Sequence, residues 1–280
     1  MKIVKTVCEL REELKSIRKQ GETIGLVPTM GALHIGHESL IVEARKQTDV
    51  VVVSVFVNPT QFGPNEDYDK YPRTLDADAE LCQKHNVDLI FAPEPSEVYS
   101  NTNILTNIVP PESYQNKLCG KTRIGHFNGV ALIVAKLFNI VQPDKSFFGQ
   151  KDAQQLAIIK KMVKDLSFPI EIVSCPIIRQ PNGLACSSRN SYLTETQKEQ
   201  ALSLSKVVKD IEAQYLAGEK SINTSKEKAL TLLDKAFTLD YLEIYNADTM
   251  EEISELQPNS LVAIAAKIGT VRLIDNVILK

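Results

Sequence analysis

No stretch of this chain is long and apolar enough to span a bilayer. Its longest apolar runs are VVVVSVFV and VALIVAKLFNIV, and a membrane helix needs roughly 20 such residues. The opening MKIVKTVCELREELK lacks the apolar core of a signal peptide. There is no basic excess either: 32 Lys and Arg against 35 Asp and Glu leave a formal charge of −3, which argues against a nucleic-acid partner. C-x-x-C pairs are missing, and the five cysteines (8, 82, 119, 175 and 186) are odd in number and scattered. Neither a disulfide framework nor a zinc knuckle fits that pattern, and reduced thiols in the cytoplasm are expected. The chain also has no internal repeat and no low-complexity tract. At 280 residues, 43% of them hydrophobic, it can form one large domain or two ordinary ones.

What the chain does have is alternation. Residues 7–20 carry Val7, Leu10, Leu14 and Ile17 on one helical face and stop at Gly21. TIGLV (23–27) reads as a buried strand, ESLIVEARKQ (38–47) as a helix, and DVVVVSVFVN (49–58) as a strand covered on both faces. A polar loop, NPTQFGPNEDYDKYPRT, comes next. A helix near 75–85, the strand VDLIFAP, a helix over 126–140 and the short strand KSFFG follow. The helix DAQQLAIIKKMVKDL, opened by Asp152 as N-cap, and the strand IEIVSCPI close the series. This order predicts an α/β class with a Rossmann-like, doubly wound parallel sheet. After about residue 178 the pattern changes. Two amphipathic helices, TETQKEQALSLSKVVKDIEAQYLAG and SKEKALTLLDKAF, precede three strand-like segments, DYLEIYNAD, LVAIAAKIG and TVRLIDNVIL, with AKIGTVRL as a tight hairpin. A smaller C-terminal α+β domain with an antiparallel sheet is expected, dividing the chain into 1–177 and 178–280.

Residues suited to chemistry gather where strands hand over to helices. In PTMGALHIGH, His34 and His37 stand three apart, with Gly31 and Gly36 letting the backbone approach a ligand. A helix starting near Gly36 would put both imidazoles on one face and offer open backbone N–H groups to phosphate. The same spacing suits one histidine as a helix cap and the other as a satisfied interior residue. A shared metal ion is a third reading, although the only other histidines are His85 and His126. FFGQKDAQQL repeats the logic with Gly149, Lys151 and Asp152, where Lys151 can meet phosphate as a point charge or remain a solvated loop lysine. ACSSRNS offers two hydroxyls and an arginine as a phosphate clamp. NPTQF places Asn58 and Gln61 after the most apolar strand, or simply starts a turn at Asn-Pro.

Taken in order, these clusters closely resemble the pantothenate synthetase (pantoate–β-alanine ligase) family. The matching pieces are PTMGALHIGH, FVNPTQFGPNEDYDKYPRT, RIGHFNGVALIVAKLFNIVQPD, FFGQKDAQQL, LACSSRNSYLT and the late RLIDN. The HIGH element alone is shared with many nucleotidyltransferases and class I aminoacyl-tRNA synthetases; the full set is specific. The resemblance implies an ATP-dependent ligase that uses Mg2+ with ATP and joins pantoate to β-alanine through a pantoyl adenylate, releasing AMP and pyrophosphate. It assigns Met30, Gly31, Ala32, Leu33, His34, Ile35, Gly36 and His37 to the ATP site, with His37 as proton donor and His34 beside it. Gly149, Gln150, Lys151 and Asp152 would also meet ATP, with Lys151 acting on phosphate as a third catalytic group. Ile178 would flank adenine, and Cys186, Ser187, Ser188 and Arg189 would close over the phosphates. Gln61 and Gln155 would hold pantoate, Gln61 would also meet β-alanine, and Asn58, Arg123 and His126 are further pocket candidates. Protein ligands for the metal are left unassigned. The resemblance further implies a cytoplasmic homodimer whose C-terminal domain serves as a lid.

Two positions depart from the family pattern: Ile124 stands where proline is common, and Cys186 where methionine or leucine is common. With Arg189 nearby, Cys186 is expected to favour its thiolate. Rival readings are a nucleotidyltransferase acting on a phosphorylated small molecule and a nucleotide-binding regulatory module. NPTQF together with DAQQL reads as a pair of glutamines for a hydroxy acid and favours the ligase. An aminoacyl-tRNA synthetase is disfavoured because the chain is short, acidic and without an anticodon-binding extension.

Overall fold

The chain was analysed as a computed structural model, which describes residues 1–64, 66–100 and 105–280; Asn65 of the polar loop lies outside them. In chain order the elements are β1 (Lys2–Val4), α1 (Val7–Lys19), β2 (Ile24–Thr29), α2 (Ile35–Gln47), β3 (Val50–Val55), α3 (Leu75–Lys84) and β4 (Leu89–Phe91). Three short helices follow, α4 (Pro95–Val98), α5 (Glu112–Gln115) and α6 (Leu118–Thr122), then α7 (His126–Val141), β5 (Lys145–Gly149), α8 (Ala153–Asp165) and β6 (Glu171–Cys175). The C-terminal elements are α9 (Glu195–Leu216), α10 (Ile222–Leu230), β7 (Phe237–Asn246), β8 (Ser260–Ile268) and β9 (Val271–Ile278).

Packing divides the chain into two units. One comprises Met1–Pro111, Thr122–Gln150 and Ile158–Pro176, the other Glu112–Lys121, Lys151–Ala157 and Ile177–Lys280. In the first, six strands among the described residues form a parallel sheet in the order β1-β4-β3-β2-β5-β6. This is the Rossmann-like sheet that the alternation predicts. Only β1 is not among the strands expected from the sequence. The valines of β3 are buried on both faces, which is why the run is continuous rather than alternating. Val27, Val51 and Val53 pack with Leu40, Ile41 and Ala44 of α2 and Cys82 of α3. The strand order reverses at β2: the chain builds outward through β3 and β4, then returns to lay β5 along β2's other edge. Ligands of open α/β sheets bind beyond the strand ends at such a reversal.

In the second unit β7, β8 and β9 form an antiparallel sheet. Its last hairpin is the expected tight one: Ile268 pairs with Val271, and Gly269, at φ 57°, takes the first turn position. Leu204, Val207, Val208 and Ile211 of α9 cover Val262, Ile264 and Ala266 of β8. Helix α10 is shifted from the predicted SKEKALTLLDKAF. Ser221 caps it by accepting the Thr224 N–H, and beyond it Asp234 accepts the Ala236 N–H and turns the chain into β7. The leucines at 230, 232 and 233 keep a helical pattern past the true end. Segments 112–121 and 151–157 group with this unit through polar contacts. Gln154 donates to the carbonyls of Tyr114 (2.9 Å) and Lys117 (2.7 Å) and accepts the Cys119 N–H (3.0 Å), while Lys117 Nζ donates to the Met250 carbonyl (2.7 Å).

Back in the first unit, α7 crosses the Pro59–Gln61 turn at Gly129, where a Cβ would overlap the Thr60 carbonyl and lie 2.7 Å from Gln61 N. Alanine is favoured over glycine inside a helix by about 0.8–1.0 kcal/mol, but overpacking against rigid backbone costs about 1–3 kcal/mol. Gly129→Ala is therefore expected to lower the denaturant midpoint; a midpoint unchanged or raised would show that α7 and the turn can separate freely.

Candidate functional site

The turn from β2 into α2 is held by side chains. Thr29, which ends β2, donates its hydroxyl to the Ser54 carbonyl of β3 (2.6 Å) and accepts the Gly31 N–H (3.1 Å). Asp78, buried on α3, takes the next two donors: Oδ2 accepts the Ala32 N–H (3.1 Å) and Oδ1 the Leu33 N–H (2.7 Å). The backbone is left-handed at Gly31 (φ 81°) and at Ala32 (φ 51°). Glycine is required at 31 on two counts, since a Cβ there would also lie 3.0 Å from both Asp78 Oδ2 and Val55 Cγ1. A left-handed L-residue costs about 1–2 kcal/mol, whereas a hydrogen bond to a charged group contributes about 1.5–3 kcal/mol. The two Asp78 bonds outweigh the strain at Ala32.

His34 follows as the extended N-cap of α2, and His37 is the third helical residue. Each caps the other's segment: His37 Nδ1 accepts the His34 N–H (3.3 Å), and His34 Nδ1 accepts the Gly36 N–H (3.0 Å). The rings lie with centroids 4.1 Å apart, tilted by 41°. A backbone N–H can only donate, so both Nδ1 atoms are unprotonated and the neutral rings carry their protons on Nε2; the hydrogen-bond network assigns this tautomer. This corrects the expectation of open backbone donors. The N–H groups of residues 31–34 and 36 already have side-chain acceptors. Imidazole donors replace backbone ones, and the capping role and the paired-imidazole role fall on the same two residues. The shared-metal reading finds no support: among the described residues no three His, Cys, Asp or Glu side chains converge on a metal site.

Beyond the adjacent end of β3 lies the Pro59–Gln61 turn. Gln61 is buried, its Oε1 accepting from Asn58 Nδ2 (3.1 Å) and its Nε2 donating to Met30 Sδ (2.9 Å). Asn58 is itself fixed. Its Nδ2 also donates to the Gly129 carbonyl (3.1 Å), and its Oδ1 accepts from the Tyr99 hydroxyl (2.8 Å). Burial pushes the Tyr99 hydroxyl up to about 12, which the Thr60 hydroxyl opposes only in part, so Tyr99 stays a donor at neutral pH. A thioether is a weak acceptor, so Gln61 Nε2 can exchange Met30 for a stronger oxygen acceptor at little cost. On β2's other side, β5 ends at Gly149, followed by Gln150. Three neighbouring strand ends thus present Gln61, the histidine pair and Gly149–Gln150.

The second unit gathers the other candidates. Lys151 and Asp152 lie in a single helical turn before α8, with Nζ 4.0 Å from the Asp152 carboxylate, and α8 begins at Ala153, directly after Asp152. The Lys151 carbonyl accepts Asn276 Nδ2 (2.9 Å). Of the two glutamines in DAQQL, Gln154 is consumed by its three backbone bonds, leaving Gln155 as the half-buried amide. A small hairpin brings Ile178 to Cys186, whose N–H donates to the Ile178 carbonyl (2.9 Å). Arg179 within it pairs bidentately with buried Asp275 (2.7 and 2.8 Å). Ser187 accepts the Arg189 N–H (3.2 Å) and starts the Ser188–Tyr192 turn.

A sequence profile of pantoate–β-alanine ligases matches residues 2–278. This chain belongs to that family. It is 47% identical over 281 residues to the pantothenate synthetase of Pseudothermotoga lettingae, covering 100% of this chain and 99% of that protein. A pantothenate synthetase structure from Thermus thermophilus aligns with a TM-score of 0.92 at 41% identity over 99% of both chains. A Francisella tularensis pantoate–β-alanine ligase, described as complexed with β,γ-ATP and β-alanine, aligns with a TM-score of 0.82 at 37% identity, covering 99% of this chain and 97% of its own. The fold is thus that of the pantothenate synthetases, and the nucleotidyltransferase alternative gives way to the ligase family.

Sequence reasoning missed three residues that brace the site. Asp78 reads as one of two acids in a helix's first turn, although its spacing of four from the apolar Cys82 marks the buried face. Tyr99 and Asp275 carry no comparable signal. One expectation of reactivity is also overturned. Cys186 is buried, and burial pushes its thiol pKa up; the charges of Lys151 and Arg179 pull the other way without prevailing. Cys186 is therefore less ionised than an ordinary thiol at mildly alkaline pH. Iodoacetamide at pH 8 is expected to modify exposed Cys8 well before Cys186, followed by peptide mapping; equal rates would contradict this burial.

Proposed function

We propose that this chain is an AMP-forming pantoate–β-alanine ligase that works through a pantoyl adenylate. The observation that carries the reading is the row of three neighbouring strand ends at the sheet's reversal, bearing Gln61, His34 with His37, and Gly149 with Gln150. In the first step a pantoate carboxylate oxygen attacks the α-phosphorus of ATP and the bond to pyrophosphate breaks. In the second, the neutral amine of β-alanine attacks the acyl carbon, the acyl–phosphate bond breaks, and AMP leaves as the amine gives up a proton.

His34 and His37, holding their protons on Nε2, donate hydrogen bonds to the phosphates, with His37 donating to the departing pyrophosphate. Met30, Gly31, Ala32, Leu33, Ile35 and Gly36 complete that stretch of the ATP site. Lys151 offers a fixed positive charge, Asp152 meets the nucleotide, Ile178 and Cys186 flank it, and Ser187 to Arg189 hold the outer phosphates. Gln61 exchanges its Met30 contact for a pantoate oxygen, with Gln155 as the second pantoate amide, and Gln61 also meets β-alanine. Magnesium enters with ATP as part of the substrate, in keeping with its preference for phosphate oxygens and water and with the absence of a converging metal-ligand cluster among the described residues. The complex named for the Francisella relative supports ATP and β-alanine as ligands of this architecture. No described helix is long and apolar enough to cross a membrane.

Exchange of labelled pyrophosphate into ATP tests the reading. It should proceed with pantoate present and β-alanine absent, and mass analysis of the full reaction should show pantothenate and AMP. His37→Ala and Lys151→Ala should slow the exchange by roughly 10²–10³-fold, as loss of one preorganised donor does. Release of ADP, or exchange that needs β-alanine, would refute the adenylate route.

A further inference from the structure

We infer that His126 is a positioning residue for pantoate, acting through the main chain of Gln61. The inference rests on the reading of Gln61 as a pantoate amide and adds to it the group that sets where this amide sits.

His126 opens α7 and is buried. Its Nε2 lies 2.9 Å from Arg123 Nη1, and its Nδ1 lies 2.7 Å from the Gln61 carbonyl oxygen. A guanidinium can only donate and a carbonyl can only accept, so both contacts are satisfied by one form alone: the neutral ring with its proton on Nδ1. Arg123 is fixed in turn by Glu66, with Nε and Nη2 each donating to one carboxylate oxygen (2.7 and 2.6 Å). Burial raises the Glu66 pKa, but the hydrogen bonds and charge of Arg123 more than offset this, so Glu66 stays ionised.

The turn that carries Gln61 is weakly held by its own backbone. The Gln61 N–H reaches the Asn58 carbonyl at 3.4 Å and the Phe62 N–H reaches the Pro59 carbonyl at 3.3 Å, both longer than a good N–H···O bond. The bond from His126, at 2.7 Å, is shorter than either. Glu66, Arg123 and His126 therefore form a chain that ends on the Gln61 carbonyl and fixes the depth at which its side chain leaves the turn. RIGHF looks in sequence like a pocket motif; its arginine and histidine are used to set another residue.

The test is steady-state kinetics on the full-length protein, with KM measured separately for pantoate and ATP. His126→Ala is expected to raise KM for pantoate about tenfold, the equivalent of one lost hydrogen bond, and to leave KM for ATP within about twofold. Asparagine can place an amide N–H where Nδ1–H stands, so His126→Asn is expected to recover most of the loss. In a Gln61→Ala background, His126→Ala should have no further effect on pantoate. Arg123→Gln, which frees the ring without removing it, should shift pantoate in the same direction and serves if His126→Ala does not fold. The inference is overturned if His126→Ala has the same effect in the Gln61→Ala background, because His126 then acts on substrate by itself. It is also overturned if ATP is affected as much as pantoate, or if His126→Asn, with an unchanged melting temperature, is as impaired as His126→Ala. A Gln61→Ala variant with unaltered KM for pantoate would overturn the reading of Gln61 as well, and is distinguishable because it is measured first.

Discussion

Two hydrogen bonds, from the His34 N–H to His37 Nδ1 and from the Gly36 N–H to His34 Nδ1, fix where α2 begins, and the rest of the site depends on that point. They make the histidines part of the fold before any ligand arrives. Everything upstream feeds them. Thr29 anchors the end of β2, and Asp78 overrides the left-handed strain at Ala32 and so delivers the chain to His34 in the extended conformation that a cap needs. In the proposed ligase, rings held this way would lose little freedom on meeting phosphate, and preorganised donors of this kind contribute most to stabilising charge that develops in a transition state.

The same logic, with opposite polarity, governs the neighbouring strand end. His34 and His37 accept at Nδ1 and keep their protons on Nε2; His126 accepts at Nε2 and keeps its proton on Nδ1. Backbone and guanidinium donors leave none of the three a choice of tautomer. One arrangement suits donors to a phosphate, the other a donor to a carbonyl. Between them Gln61 is braced on its Oε1 by Asn58 and on its main chain by His126, while its Nε2 meets only the weakly accepting sulfur of Met30. Strong bonds fix its position, and the weak one is left where a substrate oxygen can replace it.

Much of this was legible in the sequence, for physical reasons that differ from place to place. β3 could be read because a strand buried on both faces must be apolar throughout, and the turn at Gly269 because a two-residue hairpin needs glycine there. The cluster order identified the family. The ends of α10 were misplaced because polar caps, Ser221 before the helix and Asp234 beyond it, rather than periodicity, decide them. Asp78 was hidden because a buried carboxylate looks like a helix-start acid until the backbone donors it serves come within reach. The expectation of an activated Cys186 failed because spacing shows its cationic neighbours but not its burial, and burial prevails. Gln154 and Gln155, adjacent and identical in type, could be told apart only once three backbone groups had claimed the first.

The most direct test of the account is the protonation pattern of the rings themselves. With four histidines in the chain, long-range proton–nitrogen correlation spectra of imidazole-15N-labelled protein can be assigned by single substitutions. At mildly alkaline pH the account expects His34 and His37 to show an unprotonated Nδ1 and a proton on Nε2, and His126 the reverse. A proton on Nδ1 of His34 or His37 would mean that the reciprocal cap does not form, and the account of the site built on it would be wrong.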